Sequence, residues 1–193
     1  MGRPREFDED QALEKAMEVF WAKGYEASSL CDLTQAMGLS RSSFYEAFGS
    51  KHDLFLATIE RYCNSAGGRF AEMLRRSPPG RAAIAAVFAA AIDKALGDGD
   101  TRGCYLGNCS TQVAPDDTAV WARVRGGMKQ IEETFHEAIV RGRAAGNIRS
   151  SRDDRALARY LASSLNGLQI TAKTQPERAV LEDIVRIVLT SLD

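Results

Sequence analysis

Two helix boundaries lie close together near the N-terminus of this 193-residue chain. At the first, Gly38 ends one helix and Ser40 can cap the next, with a single residue between them. At the second, Gly49 ends a helix and Ser50 can cap the one that follows. Glycine adopts the left-handed conformation that ends many helices, and a serine hydroxyl accepts hydrogen bonds from the free N–H groups at a helix start. A short helix at 41–48 between turns this tight must cross its neighbours steeply, which predicts a helix-turn-helix.

A further helix precedes this pair. Asp8 is a favourable N-cap, and Gln11, three residues later, completes the spacing of a capping box. The apolar residues that follow recur at i, i+3, i+4, i+7 and i+8, on one helix face: Leu13, Ala16, Met17, Phe20 and Trp21. Gly24 ends this helix, and Ser29 caps a second short one. Spacing alone does not distinguish a helix-turn-helix from a generic three-helix bundle.

The rest of the chain also has a helical pattern, and no strand-like alternation occurs. A long helix begins at Lys51 and is broken at Ser77-Pro78-Pro79-Gly80. Further helices are predicted at about 81–96, 116–145, 152–173 and 177–192. The predicted fold class is therefore all-α, with about nine helices. We expect an N-terminal three-helix domain at 1–50 and a second helical domain at 51–193, with helix 51–75 connecting them.

Composition excludes several classes of protein. The chain is 45% hydrophobic and 26% charged, which is typical of a globular protein. It has neither an apolar run long enough for a membrane span nor the apolar core of a secretion signal, so a cytoplasmic protein is expected. No phosphate loop, nucleophile elbow or paired-carboxylate motif is present, so we predict neither an enzyme nor a cofactor. The four cysteines are expected to be thiols, and the two histidines lack metal-ligand spacing, so no metal site is predicted.

The charge of the chain argues mildly against nucleic-acid binding, for which a basic domain is the usual footprint. The net charge is −1 and the pI is about 6.2. Residues 1–52 hold six basic and nine acidic residues, so this segment is net −3. If the segment binds DNA, the placement of its few basic residues must matter more than their number.

The N-terminal pattern resembles the DNA-binding domain of the TetR family of transcriptional regulators. The resemblance covers about residues 8–60 without gaps and rests on four segments: Phe20-Trp21-Ala22-Lys23-Gly24-Tyr25, Ser29-Leu30-Cys31-Asp32-Leu33, Gly38-Leu39-Ser40 and Phe44-Tyr45-Glu46-Ala47-Phe48-Gly49-Ser50-Lys51. The opening Gly2-Arg3-Pro4-Arg5 resembles the short basic arm of many members. Gly103, Cys104 and Asn108 are similar to a Gly-Cys-x-x-x-Asn motif of one branch of the family. The resemblance favours a helix-turn-helix over a generic bundle.

The resemblance implies that helix 41–48 enters the major groove of double-stranded operator DNA. The residues expected at the duplex are Arg3, Arg5, Ser29, Arg41, Ser42, Ser43, Tyr45 and Lys51. Arg41 can pair with guanine, Lys51 and Tyr45 are expected to contact phosphate, and the two arm arginines can enter the minor groove. The alternatives are an Arg41 paired with a surface acid, a Tyr45 that packs and a solvated Lys51. The acidic residues of the first helix should point away from the duplex: Glu9, Asp10, Glu14 and Glu18.

A second copy of the chain and a small-molecule inducer are implied by the same resemblance. One helix-turn-helix contacts too little DNA for tight binding, whereas a homodimer reads two half-sites of a pseudo-palindromic operator. The predicted dimer interface comprises Leu157, Tyr160, Leu161, Leu165, Leu168, Val180, Leu181, Ile184, Val185 and Val188. The predicted pocket residues, within and beyond helices 81–145, are Phe88, Ile92, Cys104, Tyr105, Asn108, Cys109, Trp121, Val124, Met128, Phe135, His136 and Gln169. For both sets the alternative is packing inside one protomer.

Cys104 and Cys109 are the most specific clue to the signal. A loop containing Gly107 could bring the two thiols close together, and a thiol near a helix N-terminus has a lowered pKa and reacts with oxidants or electrophiles. Thiol-based sensing is therefore an alternative to inducer binding, and buried small apolar residues are the opposing interpretation. Because most relatives repress, we expect a repressor released from its operator by a small molecule. The alternative class is a helical interaction protein that does not bind DNA.

Overall fold

The structure is a computed structural model that describes residues 7–76, 78–97 and 102–193. These residues form nine α-helices and no strand, which confirms the predicted all-α class. The helices are α1 (Glu9–Lys23), α2 (Leu30–Met37), α3 (Arg41–Phe48), α4 (Lys51–Arg76), α5 (Arg81–Gly97), α6 (Tyr105–Gln112), α7 (Thr118–Ala144), α8 (Asp154–Thr174) and α9 (Arg178–Thr190). Helices α1–α3 are called the head below.

Local capping explains why the head folds where the pattern predicts. The Asp8 carboxylate accepts from the Gln11 backbone N–H at 3.1 Å at the start of α1. The Ser40 hydroxyl accepts from the Ser43 backbone N–H at 3.1 Å at the start of α3. Gly38 ends α2 at φ 69°, a left-handed conformation that a residue with a side chain adopts only with strain. These bonds span at most a few residues, so sequence alone was enough to locate them.

Helix α6 differs from the prediction, in which Cys104 and Cys109 are joined by a loop containing Gly107. The segment is poor in helix formers: it carries Gly107 and Asn108, and the Ser110 hydroxyl bonds back to the Gly107 carbonyl at 2.7 Å. The helix forms because its apolar side chains are buried against other helices, and packing of this kind overrides weak propensity. Those side chains are Tyr105, Leu106 and Cys109.

The buried side chains form two clusters. One lies among α5, α8, α9 and the C-terminal parts of α4 and α7, with Ile84, Phe88 and Phe135 fully buried in it. The other joins the head to the first half of α4, to α6 and to the start of α7. The predicted domain division at residue 50 therefore runs through a continuous core, and it remains a proposal based on function rather than on separate cores.

Tyr105 lies at the centre of the second cluster with 1% of its surface exposed. Its ring centroid is 5.6 Å from that of Trp21 in α1, 5.5 Å from that of Tyr62 and 6.3 Å from that of Phe55 in α4. Its hydroxyl lies 2.9 Å from the Thr58 hydroxyl, and burial raises the pKa of Tyr105 well above its usual range. Helix α6 is thus joined to both the head and α4 by one neutral, hydrogen-bonded ring.

Across the three described ranges, no helix combines the length and the apolar character needed to cross a bilayer.

Truncation of Tyr105 separates the packing of this ring from its hydrogen bond. We expect Tyr105→Ala to lower the free energy of unfolding by about 3–5 kcal/mol, because it empties the space among three rings. Tyr105→Phe keeps the ring and removes the hydrogen bonds of the hydroxyl, to Thr58 and to Cys109, so it should cost about 1 kcal/mol. Urea unfolding measures both values. Equal losses for the two variants would contradict the central role of the ring.

Candidate nucleic-acid interface and effector cavity

Helix α3 has one buried face and one outward face. Phe44 and Phe48 are buried in the second cluster, whereas Arg41 and Tyr45 are exposed, Tyr45 by 54%. Among the described residues, neither the Arg41 guanidinium nor the Tyr45 hydroxyl has an ion-pair or hydrogen-bond partner. Among the described residues, Arg41 therefore does not pair with a surface acid, which was the alternative interpretation. An uncommitted cation at the start of a helix is suited to meet an anionic surface.

Three serine hydroxyls cluster beside Arg41. The Ser40 oxygen lies 2.9 Å from the Ser42 oxygen and 2.9 Å from the Ser43 oxygen. Ser42 is exposed and Ser43 is half-buried. Because these side chains are short, the backbone of α3 could come close to the floor of a DNA groove.

Two further predicted DNA contacts are held by neighbours within the protein. The Lys51 ammonium lies 4.5 Å from the centre of the Tyr25 ring and 3.5 Å from the Glu26 carbonyl oxygen, so it is positioned rather than freely solvated. The Ser29 hydroxyl donates to Asp32 at 2.7 Å and accepts from the Asp32 backbone N–H at 3.0 Å. A phosphate that contacts this hydroxyl must therefore compete with the Asp32 carboxylate. Arg3 and Arg5 lie outside the described residues.

The Asp32 carboxylate also joins α2 to α1. Lys23, in the last turn of α1, donates to it at 2.6 Å. The hydrogen bonds from Lys23 and Ser29 hold the pKa of Asp32 well below its usual range, so it is charged at neutral pH.

The acidic face of α1 is paired with arginines that lie outside the head. Arg61 in α4 donates to Asp10 and to Glu14, each at 2.7 Å. Arg102, just before α6, pairs with Glu18. Exposed ion pairs contribute little individually to stability, but these pairs neutralise the acids and direct them toward α4 and α6. The N-terminal segment can therefore be net negative and still present an uncommitted arginine on α3.

A largely apolar cavity of about 140 Å³ lies among α4, α6, α7 and α8. Cys104 and Gln169, two predicted pocket residues, line it. Residues that sequence reasoning missed complete much of the wall: Cys63, Gly67, Phe70, Gln130, Thr134 and Asn166. All six belong to the long helices α4, α7 and α8, in which apolar residues alone did not distinguish the face that lines the cavity.

Glycines in α4 and α7 are the signal that could have indicated this cavity. A Cβ on Gly127 would lie 2.6 Å from the Cys63 sulfur and 2.7 Å from a methyl carbon of Leu106, so a larger residue there would have to displace these two side chains. A Cβ on Gly67 would lie 3.4 Å from the Gln130 side chain. Glycine inside a helix costs stability relative to alanine, so its presence in two facing helices indicates a close approach.

The other ten predicted pocket residues do not line this cavity. Phe88, Ile92 and Phe135 belong to the first core cluster, and Tyr105, Cys109 and Val124 belong to the second. Trp121 is 49% exposed on α7. Asn108, Met128 and His136 are half-buried with contacts of their own, to Lys173, Asn166 and Glu133 respectively. The prediction favoured apolar residues of α5, α6 and α7, whereas the cavity wall also includes residues of α4 and α8.

The two cysteines of the predicted sensor loop are separated by helix geometry. Cys104 is the N-cap of α6, whereas Cys109 lies five residues further along it. Positions with that spacing have Cα atoms roughly 9 Å apart, beyond the distance that a disulfide spans. Burial raises the pKa of Cys109 to about 12. The thiols that share the cavity are instead Cys63 and Cys104, on different elements.

Most of the predicted dimer interface is packed inside the protomer. Leu157, Leu161, Leu165, Leu168, Leu181, Val185 and Val188 are buried in the first core cluster. These side chains cannot form a contact with another molecule while they fill this core. Of the remaining predicted residues, Tyr160 is exposed, and Val180 and Ile184 are half-buried.

Metal binding finds no support in the described part of the chain, where no group of three or more histidine, cysteine or acidic side chains could hold an ion.

Comparison with known proteins identifies both parts of the chain. Residues 12–58 match the family described as "Bacterial regulatory proteins, tetR family", and residues 80–188 match "Tetracyclin repressor-like, C-terminal domain". The HTH-type transcriptional regulator YezE of Bacillus subtilis (strain 168) is 34% identical over 100% of both chains. The HTH-type transcriptional repressor ComR of Escherichia coli (strain K12) is 32% identical over 99% of this chain and 90% of its own length.

Solved structures show the same architecture. A cysteine mutant of the TetR family regulator CifR, complexed with 26-base-pair operator DNA, superimposes with a TM-score of 0.87 and 33% identity over 99% of this chain and 100% of that chain. The reduced form of NemR from E. coli has the same fold, with a TM-score of 0.88 and 20% identity over 95% and 96% of the two chains. The two family matches and the full-length relatives together show that this chain belongs to the TetR family of bacterial transcriptional regulators.

Proposed function

We propose that this protein is a repressor that binds operator DNA through the outward face of α3. The observation that carries the proposal is the exposed, uncommitted Arg41 beside Tyr45. On the same head, three acids of α1 are paired with arginines from outside the head: Asp10, Glu14 and Glu18. The relative CifR was solved on operator DNA, and ComR is described as a repressor, which supports the same role here. The alternative class, a helical interaction protein that does not bind DNA, does not explain why Arg41 is left unpaired while acids of α1 are paired.

In this proposal the contacts divide by type. Arg41 pairs with a guanine edge in the major groove, with Ser42 and Ser43 close to the groove floor. Tyr45, Lys51 and the Ser29 cap contact phosphates, and the arm residues Arg3 and Arg5 enter the minor groove.

We further propose that the protein is a homodimer, formed through faces of α8 and α9 that the protomer leaves exposed. Along α8, one exposed stripe at spacings of four and three comprises Ala156, Tyr160, Ser163, Gly167, Ile170 and Thr174. Ile170 is 61% exposed, and Ile187 on α9 is 65% exposed. Small residues between apolar ones let a second helix approach closely, and a two-fold axis would build a four-helix bundle from two copies. Two linked heads would then read two half-sites.

Release from the operator is proposed to follow binding of a small molecule in the cavity among α4, α6, α7 and α8. Tyr62 lines this cavity and contacts Trp21 of α1, with 5.4 Å between ring centroids. A ligand that alters the α4 wall therefore acts on a side chain packed directly against the head. Such a ligand releases DNA only if it binds the non-operator form more tightly.

We also place the chain in the branch of the family with a Gly-Cys-x-x-x-Asn motif. The residues of this segment have connected roles: Cys104 caps α6, and Asn108 donates to the Arg102 carbonyl at 3.0 Å and accepts from Lys173 at 2.7 Å. The motif thus ties the start of α6 to α8.

Arg41→Ala tests the DNA interface. Loss of a bidentate base contact should weaken binding to the DNA upstream of the protein's own gene by about 1–3 kcal/mol and relax base preference at one position. Gel-shift titration at fixed salt measures it. Arg149→Ala, an exposed arginine between α7 and α8, is the matched control and should bind as the wild type does. Wild-type affinity for Arg41→Ala would remove Arg41 from the interface.

Ile187→Glu tests the dimer. A buried carboxylate without a partner in the apolar interface should convert the protein to a monomer at micromolar concentration and weaken operator binding at least tenfold. Light scattering coupled to size exclusion reports the mass. Ala82→Glu places the same charge on an exposed position of α5 and should leave the dimer intact. A dimer that persists in both Ile187→Glu and Ile170→Glu would place the interface elsewhere.

Thiol-based sensing is a second candidate for the signal, favoured by the presence of Cys63 and Cys104 in one cavity wall. Cys104 is the better placed of the two, because it stands at the N-cap position of α6 and its sulfur lies 3.8 Å from the Tyr62 hydroxyl in the cavity wall. Burial raises the pKa of Cys63 and of Cys109, so these two remain protonated thiols at neutral pH.

Exposure to a small quinone should therefore modify Cys104 in the folded protein and release the operator. With a pKa of about 12, Cys109 is thiolate in roughly one molecule in ten thousand at pH 8, so it should stay unmodified from pH 7 to 9. Peptide mass spectrometry locates the adduct. Cys104→Ser should abolish release, whereas Cys31→Ser removes an exposed thiol of the head and should not. Operator binding that survives the quinone without any adduct would rule out this candidate.

A further inference from the structure

The main cavity has the size and lining of a site for one small apolar group. Its volume is about 140 Å³, and a cavity of roughly 150 Å³ accommodates a benzene molecule. Its wall includes Phe70, Leu106, Ile131 and Leu165, and none of the described lining residues is acidic or basic. This space therefore suits a single aromatic ring or a short alkyl chain.

One polar group at the edge of this cavity lacks a partner. The Oε1 atom of Gln169 in α8 is buried and has no hydrogen-bond partner among the described residues. A buried polar group left unpaired is costly, so its occurrence in a cavity wall points to a ligand atom that completes it. The amide can turn about its last bond to present either its N–H or its carbonyl to such an atom.

A second, smaller cavity of about 40 Å³ adjoins the first at this point. Gln169 and Tyr62 line both cavities, and the second is also lined by Lys94 of α5 and Lys173 of α8. Gly103 makes room for the Lys173 stem, because a Cβ there would lie 2.5 Å from its Cε atom. Burial raises the pKa of Tyr62 well above its usual range, so its hydroxyl carries no competing negative charge at neutral pH. The apolar cavity is thus connected, at the Gln169 amide, to a second cavity whose lining includes Lys94 and Lys173.

We infer that the effector of this regulator is a small amphipathic carboxylate. Its ring or short chain occupies the apolar cavity, and its carboxylate meets the Gln169 amide and the ammonium groups of Lys94 and Lys173. Charge-assisted hydrogen bonds of this kind are stronger than neutral ones, and they select a carboxylate over the amide or alcohol of the same shape. The inference rests on the proposed function as an effector-controlled repressor and names the chemical class of the effector.

The same two lysines connect the site to the head. The Lys94 ammonium lies 4.8 Å from the centre of the Trp21 ring in α1, and Lys173 donates to Asn108 in α6 at 2.7 Å. A carboxylate between the two ammonium groups competes with both contacts. Ligand binding therefore draws Lys94 away from α1 and Lys173 away from α6, which changes how α1 and α6 are held.

Calorimetric titration of the full-length protein tests the inference. The probes are benzoate, phenylacetate and hexanoate, with benzamide and benzyl alcohol as neutral counterparts. We expect the carboxylates to bind at least tenfold more tightly than the neutral compounds. Lys94→Gln and Lys173→Gln should each weaken carboxylate binding at least fivefold and leave the neutral compounds unaffected. Lys129→Gln removes an exposed lysine of α7 that lines neither cavity and is the matched control.

Three results would overturn the inference. They are the absence of carboxylate binding, equal binding of the neutral compounds, and equal weakening by Lys129→Gln. Ala66→Leu, which fills the apolar cavity without touching the lysines, should abolish binding while leaving the fold intact by circular dichroism. These readouts need no DNA, so they are independent of the repressor proposal, which fails separately if the ligand-free protein does not shift operator DNA.

Contact with the head has its own readout. The chain has two tryptophans, so Trp121→Phe leaves Trp21 as the only one. Carboxylate binding should change Trp21 emission as Lys94 leaves the ring, and the change should disappear in Lys94→Gln. An unchanged emission at saturating ligand would show that the carboxylate does not engage Lys94.

Discussion

The packing of Tyr105 between the head and α4 is the contact on which the functional geometry depends. Its ring touches the rings of Trp21, Phe55 and Tyr62, and its hydroxyl bonds to Thr58. This contact stabilises α6, a helix whose own residues favour it weakly. The position of α6 in turn sets Arg102 beside Glu18, Cys104 in the cavity wall and Asn108 against Lys173. One buried aromatic group therefore links the head and the helix beside the cavity in a single core.

Electrostatic arrangement, rather than net charge, distinguishes the two sides of the head. The segment is net negative, yet the acids of α1 are matched by Arg61 and Arg102, which belong to the rest of the chain. Arg41 on α3 has no such partner among the described residues. Charges in moderate salt act over a distance of only about 10 Å, so the position of a cation relative to the DNA matters more than the net charge of the chain. The low pI of the whole chain therefore does not oppose DNA binding.

Glycines of α4 and α7, Gly67 and Gly127, form part of the cavity wall. Gly127 brings α7 close to Cys63 and Leu106, and Gly67 faces Gln130. Helix α4 also carries Tyr62, whose ring contacts Trp21 of α1. The wall of the cavity and the support of the head therefore share one helix.

The sequence alone determined the features that depend on near neighbours in the chain. The caps at Asp8, Ser29 and Ser40, the stop at Gly38 and the outward Arg41 and Tyr45 all follow from bonds or periodicity within a few residues. Tertiary structure alone decided the existence of α6, the residues of the cavity and the face of α8 that the protomer leaves exposed. Leu161 and Leu165 belong to the apolar stripe of α8 from which the dimer interface was predicted, but both are buried in the core of the protomer. Burial depends on contacts between segments that are distant in sequence. A helical period indicates which residues share a face, but not whether that face packs inside the protomer or is exposed.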